Sequence, residues 1–233
     1  NDQGSKIDWQ QTQPEKALNL LAQATDAQHI TETFFPHIIA ADDVEYFSDT
    51  HDKPFNKDAR DFNQQLTKKI HQYFAAAKHQ ILIQTPYLVF SRKARKTFKK
   101  LRKNNPDLNI RVSTNSLAST DAYYVYAISY KYKRFYLKKL NMKIYEFKDR
   151  PGMLDSLFAQ HTVSEKTRFG MHGKSFVIDG RISMIGSHNF DPRSDVLNTE
   201  SGFVIESETF ARLLTANIEQ DMIDANSWVV AAK

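Results

Sequence analysis

The chain has 233 residues, 41% of them hydrophobic and 25% charged, which suits one large α/β domain with its own core or two small ones. It contains no cysteine, which excludes disulfides, cysteine-ligated zinc and a cysteine nucleophile. No apolar run approaches the roughly 18 residues needed to span a bilayer, and the net charge of +5 suggests an anionic partner: nucleic acid, acidic lipid or phosphate esters.

The opening "NDQGSKIDWQQTQPEK" has no Met and no signal-peptide pattern, so it reads as an interior stretch of a longer gene product. Residues 1–41 are mixed, with a short helix expected around "PEKALNLLAQ" and a turn at "FFP". A regular alternation of strands and helices begins at residue 42, and residues 42–233 are expected to form the functional domain. "DDVEYFSD" predicts a strand, "DARDFNQQLTKKIHQYFAAA" an amphipathic helix and "QILIQ" a buried strand. The helix over 91–104 carries "RKARKTFKKLRK", eight basic residues and no acid, and ends before Pro106. "LNIRVSTN" is a strand, "STDAYYVYAISYKYKRFYLKKL" a long helix and "MKIYEF" a strand. Residues 148–168 read as a loop, "ESGFVIE" as a strand and "ETFARLLTANIEQDM" as the last helix. Strands that alternate with helices predict βαβ units: an α/β fold, an α-β-α sandwich around a mixed, mainly parallel sheet.

Between loop and last strand lies "MHGKSFVIDGRISMIGSHNFDPRS", residues 171–194. Asp179-Gly180 between two β-rich runs signals a two-residue hairpin turn, because both positions need positive φ. That turn would place His172 opposite Ser187 and Lys174 opposite Ile185. His172 and Lys174 would then share one face with Ser187 beside them, and Asn189 would follow where the strand opens. An imidazole, an ammonium, a hydroxyl and an amide at one sheet end suit a phosphate ester. Lys174 and Asn189 can hold non-bridging oxygens, while the imidazole can attack phosphorus or protonate a leaving alkoxide. The competing reading is a hairpin with polar residues at its exposed end.

"HGKSFVID" followed by "GSHNFDPRS" resembles the HxKx4D and GSxN signature of the phospholipase D superfamily, and "NTESGFVI" adds an acid, Glu200, at the position that in this family hydrogen-bonds an active-site histidine. "QILIQTPYLVF" and the stretch from "RVSTNSLASTD" to "KIYEF" are similar to the second half of bacterial cardiolipin-synthase-like members. The resemblance runs from about residue 42 to 225. It implies a mechanism with two histidines, one from each of two HxK motifs. One forms a phosphohistidine; the other, the role His172 would take, protonates the leaving alcohol and activates the acceptor. It further implies that Glu200 orients the imidazole and favours its protonated form, that Tyr87 and Asn115 lie near the site, and that no metal or other cofactor takes part. Asp179 reads as structural, since the turn explains it. Arg193 and Ser194 are expected to fix the loop after the hairpin, and His188 to pack.

A second literal match, "HDKPFNKD" from His51 to Asp58, lacks an apolar strand between its lysine and aspartate, and no GSxN follows. Pro54 also disfavours a central ladder, so the match reads as a loop coincidence. The chain then holds one half-site. Its partner is the N-terminal half of the same protein or a second copy of this chain, and a fragment is favoured. Gly173 and the lead-in "KTRFGM" depart from the serine-rich approach of close relatives.

The resemblance implies phosphatidyl transfer to a glycerol-containing lipid, with hydrolysis to phosphatidic acid, a phosphodiesterase acting on nucleic acid and a non-catalytic lipid-binding half as the alternatives. "NSLASTD" favours the synthase, and nucleic acid is the less favoured partner. The basic helix reads either as a solvated face or as a contact for an anionic membrane surface, worth about 1 kcal/mol per basic residue. The expected location is peripheral, on the bacterial cytoplasmic membrane, with export left open.

Overall fold

A computed structural model describes residues 14–41, 43–53, 55, 65–153 and 168–231. The chain divides into two compact units, residues 1–40 and 41–233. In the first, helices α1 (Pro14–Thr25) and α2 (Ala27–Phe34) lead to a 3-10 turn at Phe35–His37. Asp26 caps α2 by accepting the Gln28 N–H at 2.9 Å. The predicted first helix is present; α2 carries no apolar stripe long enough to announce it.

The second unit runs β1 (Asp43–Ser48), α3 (Gln65–Ala76), β2 (Gln80–Gln84), α4 (Arg92–Asn104), β3 (Asn109–Asn115), α5 (Tyr123–Lys139), β4 (Met142–Phe147), β5 (Ser175–Ile178), β6 (Ile182–Gly186), α6 (Pro192–Val196), β7 (Ser201–Glu206), α7 (Glu208–Met222) and β8 (Ser227–Val229). The eight strands form one sheet in the order β1-β7-β6-β5-β2-β3-β4-β8. Alternation along the buried strands divides two apolar layers. Ile81, Ile83, Ile110, Val112, Phe176 and Ile178 meet Ile70 and Phe74 of α3, Phe98 of α4 and Tyr136 of α5. Leu82 and Val177 meet Ala211, Ile218 and Met222 of α7. Helices on both faces explain why β2 reads as an unbroken apolar run rather than an alternating one, and the α-β-α sandwich is as expected.

The sheet is mixed, but the expectation that it is mainly parallel needs correction. Among the described residues only β2–β3 and β3–β4 are parallel; the other five pairings are antiparallel. Parallel neighbours need a crossover of a dozen or more residues, which α4 and α5 supply. The turn between β5 and β6 and the short connection through α6 instead send the chain straight back.

The hairpin register also differs by one residue. Asp179 and Gly180 take the positive φ angles expected, 52° and 67°, and the Arg181 N–H closes the turn on the Ile178 carbonyl at 3.1 Å. Arg181 is an added residue beyond the turn, so Ile178 pairs with Ile182 and Ser175, not Lys174, faces Ile185. The predicted loop 148–168 and the start of the predicted helix before α3 lie largely outside the described residues.

Candidate active site

The carboxyl ends of β1, β2, β3, β4 and β6 and the amino ends of β5 and β7 all lie at one edge of the sheet, as the pairings require. In open α/β sheets this is the edge where ligands bind. His172, Lys174, Ser187, Asn189, Glu200, Asn115 and Tyr87 all come from segments that leave or enter the sheet there.

His172 is exposed, and its imidazole makes no hydrogen bond among the described residues. Its backbone is well held. Asn115, the last residue of β3, clamps Met171 with both ends of its amide: Nδ2 donates to the Met171 carbonyl and Oδ1 accepts the Met171 N–H, both at 2.9 Å. Asn115 therefore extends the sheet by one side chain and delivers His172 to the rim of a cleft of about 320 Å³. Ser119, Asp121, Arg168 and Gly170 line the same cleft.

Gly173 is explained by the next strand. A Cβ there would lie 2.2 Å from Gln84 Oε1. The Gln84 amide is itself fixed, accepting from Ser175 Oγ at 3.0 Å and donating to Asp221 Oδ2 at 2.7 Å. A serine at 173 would collide with that amide.

The Lys174 ammonium donates to the His172 carbonyl at 2.9 Å. Burial lowers its pKa below the usual lysine value, and the nearby carboxylates of Glu200, Asp121 and Asp191 only partly offset that. Three acids thus converge on one cation. Asp121 also accepts the Tyr87 hydroxyl at 2.7 Å, which ties Tyr87 to the cleft. Burial, foremost, and that bond to Asp121 push the Tyr87 phenol well above its ordinary pKa, so Tyr87 serves as a neutral donor.

Glu200 is 4% exposed. Its carboxylate accepts a short hydrogen bond from Ser187 Oγ, and not one from the His172 imidazole as the resemblance implies. The order of strands gives the reason: β6 lies between β7 and β5, so Ser187 meets Glu200 first. Ser187 Oγ in turn accepts the Ser201 N–H at 3.0 Å. Its proton is committed to Glu200, so in this state it has none for a phosphate oxygen. Gly186 permits the approach of β6 to β7, because a Cβ there would lie 2.4 Å from the Ser201 carbonyl.

Asn189 is pinned along its backbone, donating its N–H to Ser194 Oγ at 3.1 Å and accepting from Thr85 Oγ1 at 2.7 Å. Its side-chain Oδ1 is buried and has no partner among the described residues. Ser194 fixes the loop together with Asp191, whose Oδ1 accepts the Ser194 N–H at 2.8 Å. Arg193 differs from expectation: it is exposed, and its guanidinium makes no bond among the described residues. Asp179 sits at the far end of the hairpin, where its carboxylate accepts the N–H groups of Lys78, His79 and Gln80 at 2.7–2.8 Å. Burial raises its pKa, but these three bonds and the neighbouring His79 outweigh that and leave it below the usual carboxylate value.

His188 is buried against Phe190. It accepts the Phe190 N–H on Nδ1 at 2.9 Å and faces Asp195 Oδ1 with Nε2 at 3.2 Å. His51 of the second HxK match is exposed in a turn after β1, and Asp58 lies outside the described residues. Asp121, Thr85 and Gln84 belong to the site's frame and had no motif to single them out.

A family model described as "Cardiolipin synthase, PLD-like domain" matches residues 70–222. The chain is 40% identical over 125 residues to cardiolipin synthase C of Escherichia coli (strain K12), a match covering 54% of this chain and 26% of that protein. It therefore spans about a quarter of the length of that curated relative. Among solved structures, Nuc, a phospholipase D family member from Salmonella typhimurium, superposes with a TM-score of 0.54 at 13% identity, over 82% of this chain and 99% of its own. The phosphatidylserine synthase of Haemophilus influenzae gives 0.54 at 16% identity, over 80% and 39%. At these identities the two structures speak for the fold alone.

Proposed function

The chain belongs to the PLD-like cardiolipin synthase family, and from that premise we propose that it is one half of a phosphatidyltransferase site acting on glycerophospholipids through a phosphohistidine. The observation that carries the reading is an unengaged imidazole, His172, at the sheet edge where the segments of Lys174 and Asn189 also leave the strands, within a stretch matched to the family. The attacking histidine comes from a second motif, in the rest of a longer protein or in a second copy of this chain. It displaces the alcohol from phosphorus, and His172 gives that alkoxide a proton. His172 then takes the proton of the acceptor hydroxyl, which attacks the phosphohistidine and frees the first imidazole. Lys174 and Asn189 hold the non-bridging oxygens, while Glu200 holds Ser187 at the neighbouring strand end.

Among the described residues no helix is long and apolar enough to cross a membrane. Helix α4 exposes Arg92, Lys93, Lys96, Lys99, Lys100 and Lys103, a cationic face suited to the anionic inner leaflet of a bacterial membrane, and we assign peripheral attachment to it.

The test is a lipid product analysis of the intact protein with phosphatidylglycerol, with and without phosphatidylethanolamine, beside His172→Ala. Cardiolipin that vanishes in the variant and persists in EDTA supports the synthase. Phosphatidic acid instead makes water the acceptor and the enzyme a hydrolase. Absence of any lipid product overturns the reading.

A further inference from the structure

The second HxK match contains a residue with no place on a loop surface. Lys53 is 1% exposed, and Asp49, four residues earlier, is 5% exposed. The Lys53 ammonium reaches Asp49 Oδ2 at 2.5 Å and the Ser194 carbonyl at 2.6 Å. Asp49 Oδ2 accepts the Glu200 N–H at 3.2 Å, and the Asp49 N–H donates to the Glu200 carbonyl at 2.8 Å. One buried ion pair thus grips the backbone of Glu200 on one side and of Ser194 on the other. Glu200 is the acid that holds Ser187, and Ser194 Oγ holds the Asn189 N–H.

Burying an ammonium and a carboxylate costs several kilocalories before they attract each other, so such a pair is weak evidence for a stability device. Its value lies in its geometry. An ammonium with donors in fixed directions can join a carboxylate and a carbonyl from distant segments, which an apolar plug cannot do. Asp49 Oδ1 is buried with no hydrogen-bond partner among the described residues.

We propose that Asp49 and Lys53 are positioning residues of the half-site. They set the spacing between the Glu200–Ser187 acid pair and the Asn189 loop around the phosphate held by Lys174. The proposal rests on the phosphodiester chemistry assigned to His172, though not on a lipid substrate.

The experiment compares wild type, Lys53→Met and Asp49→Asn/Lys53→Met in the intact protein. Each is assayed on phosphatidylglycerol vesicles and on bis(p-nitrophenyl) phosphate, and its melting temperature is recorded. Lys53→Met leaves the Asp49 carboxylate buried and unpaired, and should melt roughly 10 °C lower. The double variant removes both charges and keeps an oxygen for the Glu200 N–H, so it should recover most of that loss. Its kcat should nonetheless stay down about 100-fold on both substrates, as misplacement of site groups by about an ångström would produce, with KM near wild type. Recovery of kcat along with the melting temperature would overturn the proposal and leave the pair a folding device. Turnover of the nitrophenyl ester without turnover of lipid would fail the lipid reading while the same variants still decide this one.

Discussion

Asp179→Ala separates structure from chemistry within the family motif. Alanine strands three backbone donors, of Lys78, His79 and Gln80, at the entry to β2. Hydrogen bonds to a charged acceptor contribute about 1.5–3 kcal/mol. This carboxylate is half-buried and water can reach the freed N–H groups, so about 1 kcal/mol each is the better figure. The φ of 52° adds to the loss, since Asp visits the left-handed region more readily than Ala. A total of about 3–4 kcal/mol corresponds to a melting temperature roughly 10 °C lower. Asp179→Asn keeps an oxygen for His79 and Gln80 and should lose about a third as much. Urea and thermal unfolding measure both. The folded pKa of Asp179 is depressed, so its contribution is complete above the unfolded value of about 3.9 and is lost as pH falls through the folded one. The gap between wild type and Asp179→Ala should therefore be full at pH 6 and narrow below about pH 4. At roughly 3.3 Å per extended residue, the carboxylate lies about 20 Å from His172, so turnover per folded molecule should hardly change. A variant within about 0.5 kcal/mol of wild type, or one fully folded yet inactive, would refute the structural assignment.

Gly173→Ala should lower kcat/KM about 10- to 100-fold by driving the His172 backbone off the Gln84 amide. Adding Gln84→Ala should restore most of it; steady-state kinetics of the pair checks this, and a Gly173→Ala enzyme at wild-type rate would remove the steric account. Burial, with Lys93 and His188 nearby, holds the His71 pKa below the usual value despite Asp195. The unfolded chain therefore binds the proton first as pH falls below about 6.5, and stability drops by up to about 1.4 kcal/mol per pH unit until the lowered folded pKa is passed. In His71→Gln the slope of unfolding free energy between pH 6.5 and 5 should flatten, and an unchanged slope would place that titration elsewhere. Neutralising Lys96 and Lys100 to Gln should weaken sedimentation with anionic vesicles by about 1 kcal/mol per residue, more than tenfold for both, with turnover of a soluble diester unchanged.

Much of the site was legible because its signals are local. Asp179-Gly180 fixes a left-handed turn through steric limits on two residues, and the turn is present with its positive φ angles. The apolar run of β2 and the periodicity of α7 depend on near neighbours, and both elements match the sequence reading to the residue. The one-residue shift in register was not legible, because Arg181 can follow the turn or open the strand with equal local cost. Only the ladder to β7 and the clasp of Asp179 on β2 choose between them.

The residue types of the candidate site, and their order along the chain, are thus properties of the sequence: His172, Lys174, Asn189 and Glu200 can be picked out before any fold is known. Which of them touch was decided by the tertiary structure. Strand order put Ser187, not His172, against the Glu200 carboxylate. Lys53, in a stretch that reads as a polar loop, became a buried cation because the carbonyl that receives it lies 141 residues away, at Ser194. Hydrogen bonds across such separations leave no periodicity behind, since their partners meet only after the sheet has closed the chain between them.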